Sequence, residues 1–233
     1  MRQHATMVSL ATALGVALLV PTACGSGTTD PVTTAAEEPR PRVVARTDVT
    51  GDGSRDRVTY RVLPGDRVRI GVRSGATTAT RRVLDTELWP GRGGYWHGAA
   101  RLDGRPGTEL FIGTTMGAHT PLFTVLTMRA GRLRVQASPL PGGPEWWVDA
   151  FVNGYSGWTR TNRDGRVRVV SRTVYRDGGG SRAHLWTGQA RAFVWSNDRW
   201  VSDGGRDLAV RGDRKAARVG GFHVPGLPRW PSG

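Results

Sequence analysis

Short segments of alternating apolar and polar residues, a dense supply of turn residues and the lack of any capped helical period over three turns predict an all-β chain. The 33 glycines and 14 prolines among 233 residues provide the turns. A complete seven-bladed propeller needs roughly twice this length at ~40–60 residues per blade. The predicted architecture is therefore a set of antiparallel blades or a sheet stack resembling a partial β-propeller, with a β-sandwich as the alternative.

Taken in order, the chain opens on Met1-Arg2-Gln3-His4, then runs apolar or small from Thr6 to Val20 and ends this stretch in Pro21-Thr22-Ala23-Cys24. Residues 1–23 read as a secretory signal, too short for a default membrane-spanning helix. Ala23-Cys24-Gly25-Ser26-Gly27 resembles a bacterial lipobox, although Pro21 stands where an aliphatic residue is usual. That resemblance implies lipidation of Cys24 and a place at the extracytoplasmic face of the cell membrane, with free secretion as the alternative. Cys24 is the only cysteine, so a lipidated chain has no thiol for a disulfide, a zinc–thiolate site or a nucleophile. Residues 24–42 are small and polar with little to bury, and read as a flexible tether. A β-rich domain is expected over 43–219, followed by a loosely packed Gly/Pro-rich tail over 220–233.

Within the domain, Val58, Tyr60 and Val62 alternate with polar residues, as do Val68, Ile70 and Val72 beyond the Leu63-Pro64-Gly65-Asp66 turn. A short strand follows near Arg81–Leu84. Pro121–Met128 and Leu133–Ala137 form a second hairpin around Ala130-Gly131. Trp147–Val152, Val167–Val170 and Val174-Tyr175 are further strands, with Asp164-Gly165 as a turn. Ala192–Trp195 and Arg199–Val201 make a late hairpin around Asn197-Asp198.

The stretch most telling for chemistry is Asp48-Val49-Thr50-Gly51-Asp52-Gly53-Ser54-Arg55-Asp56. Oxygen-bearing side chains recur at its odd positions, and two glycines permit a tight turn, the arrangement that surrounds a hard cation with oxygens. A strand follows at once, unlike the helix of an EF-hand. The loop resembles the opening of FG-GAP/VCBS repeats, D-x-N-G-D-G-x-x-D, through Asp48, Thr50, Asp52 and Asp56. The resemblance implies Ca²⁺ held by Asp48, Thr50, Asp52 and Asp56, with Ser54 ligating through its carbonyl or a water. Arg101–Glu109 repeats the loop's length, with Gly104 and Glu109 matching Gly51 and Asp56, and leads into Leu110-Phe111-Ile112. Arg101 and Arg105 replace two acids there, so this copy reads as a repeat without metal, its guanidinium groups standing in the cation's place.

The formal charge of +14 is carried by arginine, Lys215 being the only lysine. Segments such as Arg166-Val167-Arg168-Val169 and Arg132-Leu133-Arg134-Val135 place arginine on outer strand faces rather than in one basic block, which argues against a specific nucleic-acid site. His97, His119, His184 and His223 show no close metal-ligand spacing. Gly154-Tyr155-Ser156-Gly157-Trp158 fails as a nucleophile elbow, because its fifth residue is tryptophan. In Trp146-Trp147, neighbouring strand residues face opposite sides, so one ring is available to stack on a sugar or partner. Two functions remain open. One is an envelope lipoprotein whose calcium-braced β domain binds a glycan or envelope protein. The other is a secreted hydrolase acting on an envelope polymer or ester through dispersed Asp, Glu and His residues.

Overall fold

The structure is a computed structural model and describes residues 39–229 except 78, 88, 91–93, 119, 152, 177 and 179–183. The expected signal, most of the tether, Cys24 and His119 lie outside the described residues. Strands β1 (Arg42–Thr47), β2 (Asp56–Leu63), β3 (Arg67–Arg73) and β4 (Thr80–Asp85) form the first sheet in sequence order. Strands β5 (Tyr95–Ala100), β6 (Glu109–Met116), β7 (Pro121–Arg129) and β8 (Arg132–Val135) form the second, and β9 (Trp146–Trp147) pairs with β7. The third contains β10 (Asp149–Phe151), β11 (Gly154–Arg163), β12 (Arg166–Arg176), β13 (Leu185–Ser196) and β14 (Arg199–Arg211). After a five-residue helix α1 (Asp213–Ala217), β15 (Gly221–His223) joins β11 in parallel. The other pairings among the described strands are antiparallel, so the chain is an all-β sheet stack.

The second sheet is the middle layer. Leu110 and Ile112 of β6 pack with Val58, Val68, Ile70 and Val72 of the first sheet. Phe111 between them points the other way, to Trp158, Val169 and Phe222 on the third. Strand β6 is therefore buried on both faces and reads as an unbroken apolar run rather than an alternating one. A further cluster around Val174, Trp186 and Leu208 covers the far side of the third sheet under α1.

Three two-residue turns close hairpins with both central residues at positive φ: Ala130-Gly131, Asp164-Gly165 and Asn197-Asp198. That is the twist-matched geometry short hairpins require. Asp164-Gly165 is the expected turn, between β11 and β12, while β12 runs unbroken through the expected gap between Val170 and Val174. Trp146–Phe151 is split at Val148, with β9 pairing in the second sheet and β10 in the third.

The first two sheets are a tandem repeat. Thr47 opposite Asp56 recurs as Ala100 opposite Glu109, and Val58 opposite Val72 recurs as Phe111 opposite Val125. Each position advances by 53 residues, from 47 to 100 and from 58 to 111. Even the irregularity at Val43/Ala45 returns at Trp96/Gly98. A bulge conserved between copies belongs to the design of the unit.

The tail departs from expectation. Phe222 and Val224 are buried in the middle core, and β15 is an integral strand. Gly157 makes this possible, since a Cβ there would run into the carbonyls of Val219 and Gly221. Three strand residues flanked by glycine and proline are too few to reveal a period. Gly157→Ala is expected to lower the unfolding free energy by about 1–3 kcal/mol, as overpacking does. Urea denaturation checks this, with tryptophan fluorescence reporting the loss of the Phe222 contacts.

Candidate functional site

The two nine-residue loops lie against one another. Thr108 Oγ1 donates to the Asp48 carbonyl at 3.0 Å, and a Cβ on Gly51 would come within 2.7 Å of Pro106. Gly51 and Gly107 hold φ of 84° and 100°, so glycine serves both the turn and the close approach.

In the first loop Asp56 is the pin. It is fully buried, and its Oδ2 accepts from the N–H groups of Val49 (2.8 Å) and Thr50 (2.9 Å) and from Thr50 Oγ1 (3.1 Å). Its Oδ1 is buried with no hydrogen-bond partner. Asp48 accepts from Gly51 N–H (2.6 Å) and Gly53 N–H (3.1 Å), while Asp52 accepts from Ser54 N–H (2.7 Å) and from Ser74 Oγ (3.3 Å). The Ser54 amide holds Asp52 below its ordinary pKa. The sequence thus brings Asp48, Thr50, Asp52, Ser54 and Asp56 into one turn. Among the described residues, however, no three acidic or histidine side chains gather tightly enough to hold a metal. The carboxylates of Asp48 and Asp52 are turned to loop amides instead.

The second loop keeps the same tie and changes its chemistry. Leu102 N–H donates to Glu109 Oε2 at 2.7 Å, as Val49 does to Asp56, and Glu109 Oε1 accepts from Thr127 Oγ1 at 3.1 Å. Asp103, the counterpart of Thr50, is paired with the guanidinium of Arg129 and accepts from Gln136 Nε2 at 3.1 Å. Arg129 also lies 3.7 Å from Glu109. Here the expectation is corrected: the guanidinium between the acids comes from β7, not from Arg101 or Arg105. Arg105 reaches outward to Asp198 at 2.6 Å, and Arg101 is exposed. A residue 20 positions after the loop carries no local sequence signal. Burial, reinforced by the negative charge of Asp103, pushes the Glu109 carboxyl from its ordinary 4.5 up to about 8.

A second feature lies on the third sheet. Two adjoining cavities of about 670 and 510 Å³ share Leu140, Pro141, Gln189 and Arg191. Register sets Ser156, Thr173, Gln189 and Asp207 side by side across four strands. Trp147 lines this groove, while Trp146 is buried in the core and donates to the Gln136 carbonyl. The opposite facing expected of the pair is what the strand delivers. Tyr175, half exposed, stands at the same wall, and Arg191 is braced on Gln189 Oε1 at 3.0 Å. The polar face was present in the sequence as Ser171-x-Thr173-x-Tyr175 and Thr187-x-Gln189-x-Arg191, visible once β12 and β13 are read at full length. Asp207 is the one carboxylate in the described lining.

The histidines are dispersed. His97 is buried among the rings of Tyr95, Phe123 and Phe222, 5.0–5.8 Å centre to centre, and burial lowers its pKa to about 4. His223 contacts the Gly220 carbonyl at 3.0 Å, and His184 is exposed. Gly154–Trp158 lies along β11, with Ser156 Oγ donating to Thr173. Arg132 and Arg134 are exposed as alternation predicts, while Arg168 and Arg166 both reach Asp203. The chain matches no family model, and neither curated proteins nor solved structures give a match.

The Glu109 carboxyl predicts a pH response. Between about 4.5 and 8 the folded chain keeps a proton that the unfolded chain has released, so raising the pH favours unfolding. The melting temperature is expected to fall across that window, and Glu109→Gln is expected to flatten the fall. Thermal scans of both proteins from mildly acid to mildly alkaline buffer give the comparison.

Proposed function

We propose that the chain is a non-enzymatic binding module, tethered through a lipidated Cys24 at the extracytoplasmic face of a membrane, which takes a glycan in the groove of the third sheet. The groove carries the reading: Trp147 and Tyr175 line one cavity, Asp207 the adjoining one, and Gln189 and Arg191 both. A sugar ring presents an apolar C–H face and a belt of hydroxyls, which such rings and planar polar groups complement. Glycoside hydrolysis uses two flanking carboxyl groups, whereas this lining supplies Asp207. Retention on purified cell-wall polysaccharide is the test. Trp147→Ala should weaken retention about tenfold or more, as loss of an aromatic anchor does. Unchanged retention would remove the groove from the proposal. Fractionation tests the tether: Cys24→Ser should move the protein from the membrane to the soluble fraction.

Calcium belongs to the same proposal, with Asp48, Thr50, Asp52 and Asp56 as side-chain ligands and Ser54 contributing its carbonyl or a water. The supporting observation is the unpartnered Oδ1 of buried Asp56, set beside a second loop whose acids have a guanidinium between them. A bound cation would supply the missing positive charge and brace the entry to β2, once Asp48 and Asp52 turn from their amides. At ten times the dissociation constant, linkage adds roughly 1.4 kcal/mol of stability. Asp52 is exposed and Asp56 is buried, so Asp52→Ala is the informative variant. It should abolish the rise in melting temperature between chelator and millimolar calcium while leaving the chelated protein unaltered.

A further inference from the structure

One face of β12 carries four arginines, and the fold supplies an acid for three of them. Arg166 meets Asp203 at 3.3 Å, and Arg168 is paired with the same carboxylate. Toward the other end of the strand Arg176 meets Asp213 at 2.9 Å. Arg172 lies between them, on the far side of the sheet with Val170 and Val174, and has no ion pair among the described residues. Its Nε and Nη2 are buried without a hydrogen-bond partner. Those two nitrogens form one edge of the guanidinium, the edge that grips a carboxylate or phosphate through two parallel hydrogen bonds. Arg129 and Arg160 each leave Nε in that state, whereas Arg172 leaves the whole edge. Buried donors without partners and buried charges without counter-charge both cost stability.

Register gathers further donors around this edge. Arg172 stands opposite Ala190, and Ala190 stands opposite Arg206, so two arginine positions flank one methyl group. Strands two apart lie about 9.5 Å from each other, a span that suits an oxyanion held between two guanidinium groups. On its other side Arg172 stands opposite Gly157, which makes Thr159 its diagonal neighbour. Thr159 Oγ1 is likewise buried without a partner. The Val219–Gly221 backbone packs onto Gly157 and walls off that side. Burial, then the charges of Arg229 and Arg206, hold the pKa of Arg172 below its ordinary value. Burial, Arg172 and Arg229 also lower that of His223, which stands opposite Thr159. The charges acting on Arg172 are thus cations, where those beside Arg168 and Arg176 are acids.

We infer that Arg172, Thr159 and Arg206 hold a phosphate group, free or as a monoester, with Arg229 adding its charge from the tail. The Arg172 edge supplies two charge-assisted hydrogen bonds, Thr159 a hydroxyl donor, and Arg206 a guanidinium from the opposite side. A phosphate monoester brings close to two negative charges and three acceptor oxygens, enough for donors on two sides. A carboxylate has two oxygens in one plane and a single charge. Arg172 as a whole is half-buried, and Arg206 and Arg229 are exposed, so the site opens to solvent. It lies on the face of the third sheet opposite the groove and does not depend on the glycan reading.

Titration calorimetry with inorganic phosphate, in chloride buffer of matched ionic strength, is the test. Phosphate should bind and raise the melting temperature, and acetate under the same conditions should do neither. Arg172→Met keeps the bulk and removes the charge, and should weaken phosphate binding about tenfold or more. Without phosphate this variant should be at least as stable as the parent, since an unmatched buried cation is gone. Arg206→Ala and Arg229→Ala alter exposed residues. Each should weaken binding by roughly twofold to fivefold and leave the melting temperature without phosphate unchanged. Arg132→Ala on the second sheet should not affect binding. Tighter binding of glycerol 3-phosphate than of phosphate marks a monoester ligand, and the reverse marks the free ion; either order supports the site. Equal binding of phosphate and acetate would overturn the inference. So would no binding at millimolar phosphate, or binding undiminished in both Arg172→Met and Arg206→Ala.

Discussion

Both repeated sheets depend on one buried carboxylate at the ninth position of the loop that joins their first two strands. Asp56 and Glu109 are the first residues of β2 and β6, and each ties back to the amide of the loop's second residue. The tie fixes where the strand begins, and the equivalent pairs Thr47–Asp56 and Ala100–Glu109 carry that start into the neighbouring strand. A buried charge is tolerated only with partners. The second loop meets that demand with Arg129, Thr127 and a proton held up to about pH 8. The first meets it with two amides and a hydroxyl, and leaves Oδ1 over.

Fold class and repeat were legible because both are written in local pattern. Alternation marks β2 and β3, positive-φ turns mark three hairpins, and Gly104 and Glu109 mark the second loop. What escaped was non-local or too short to have a period. Arg129 acts on a loop 20 residues away. Strand β5 hides its alternation behind Gly98, where the ladder slips register. Strand β11 read as a failed motif because Gly154 and Gly157 interrupt its pattern, yet Gly157 is the residue that admits β15. The site was legible in its residues but not in its arrangement. Five oxygen-bearing positions share a turn, and the direction in which Asp48 and Asp52 point was set by nearby amides.

The groove follows from unequal sheets. Strands β12, β13 and β14 have 11, 12 and 13 residues, against 8, 9 and 4 for β6, β7 and β8. The middle layer covers only part of the third sheet's inner face, where Val169 and Trp158 are apolar. Beyond that cover the same face carries Ser171, Thr173, Gln189 and Asp207. The composition of one strand face thus changes where its neighbour stops, as burial requires.

Arginine is distributed by the same logic at both ends of the stack. On the third sheet Arg166 and Arg168 share Asp203, and Arg176 meets Asp213 at 2.9 Å while lying over the Trp186 ring. Arg163 nevertheless stands directly opposite Arg166 in the same sheet. On the first sheet arginine likewise stands opposite arginine across the ladder, and Asp85 meets Arg67. Alternation along each strand sends these guanidinium groups to the exposed face, where solvent and salt screen their mutual repulsion.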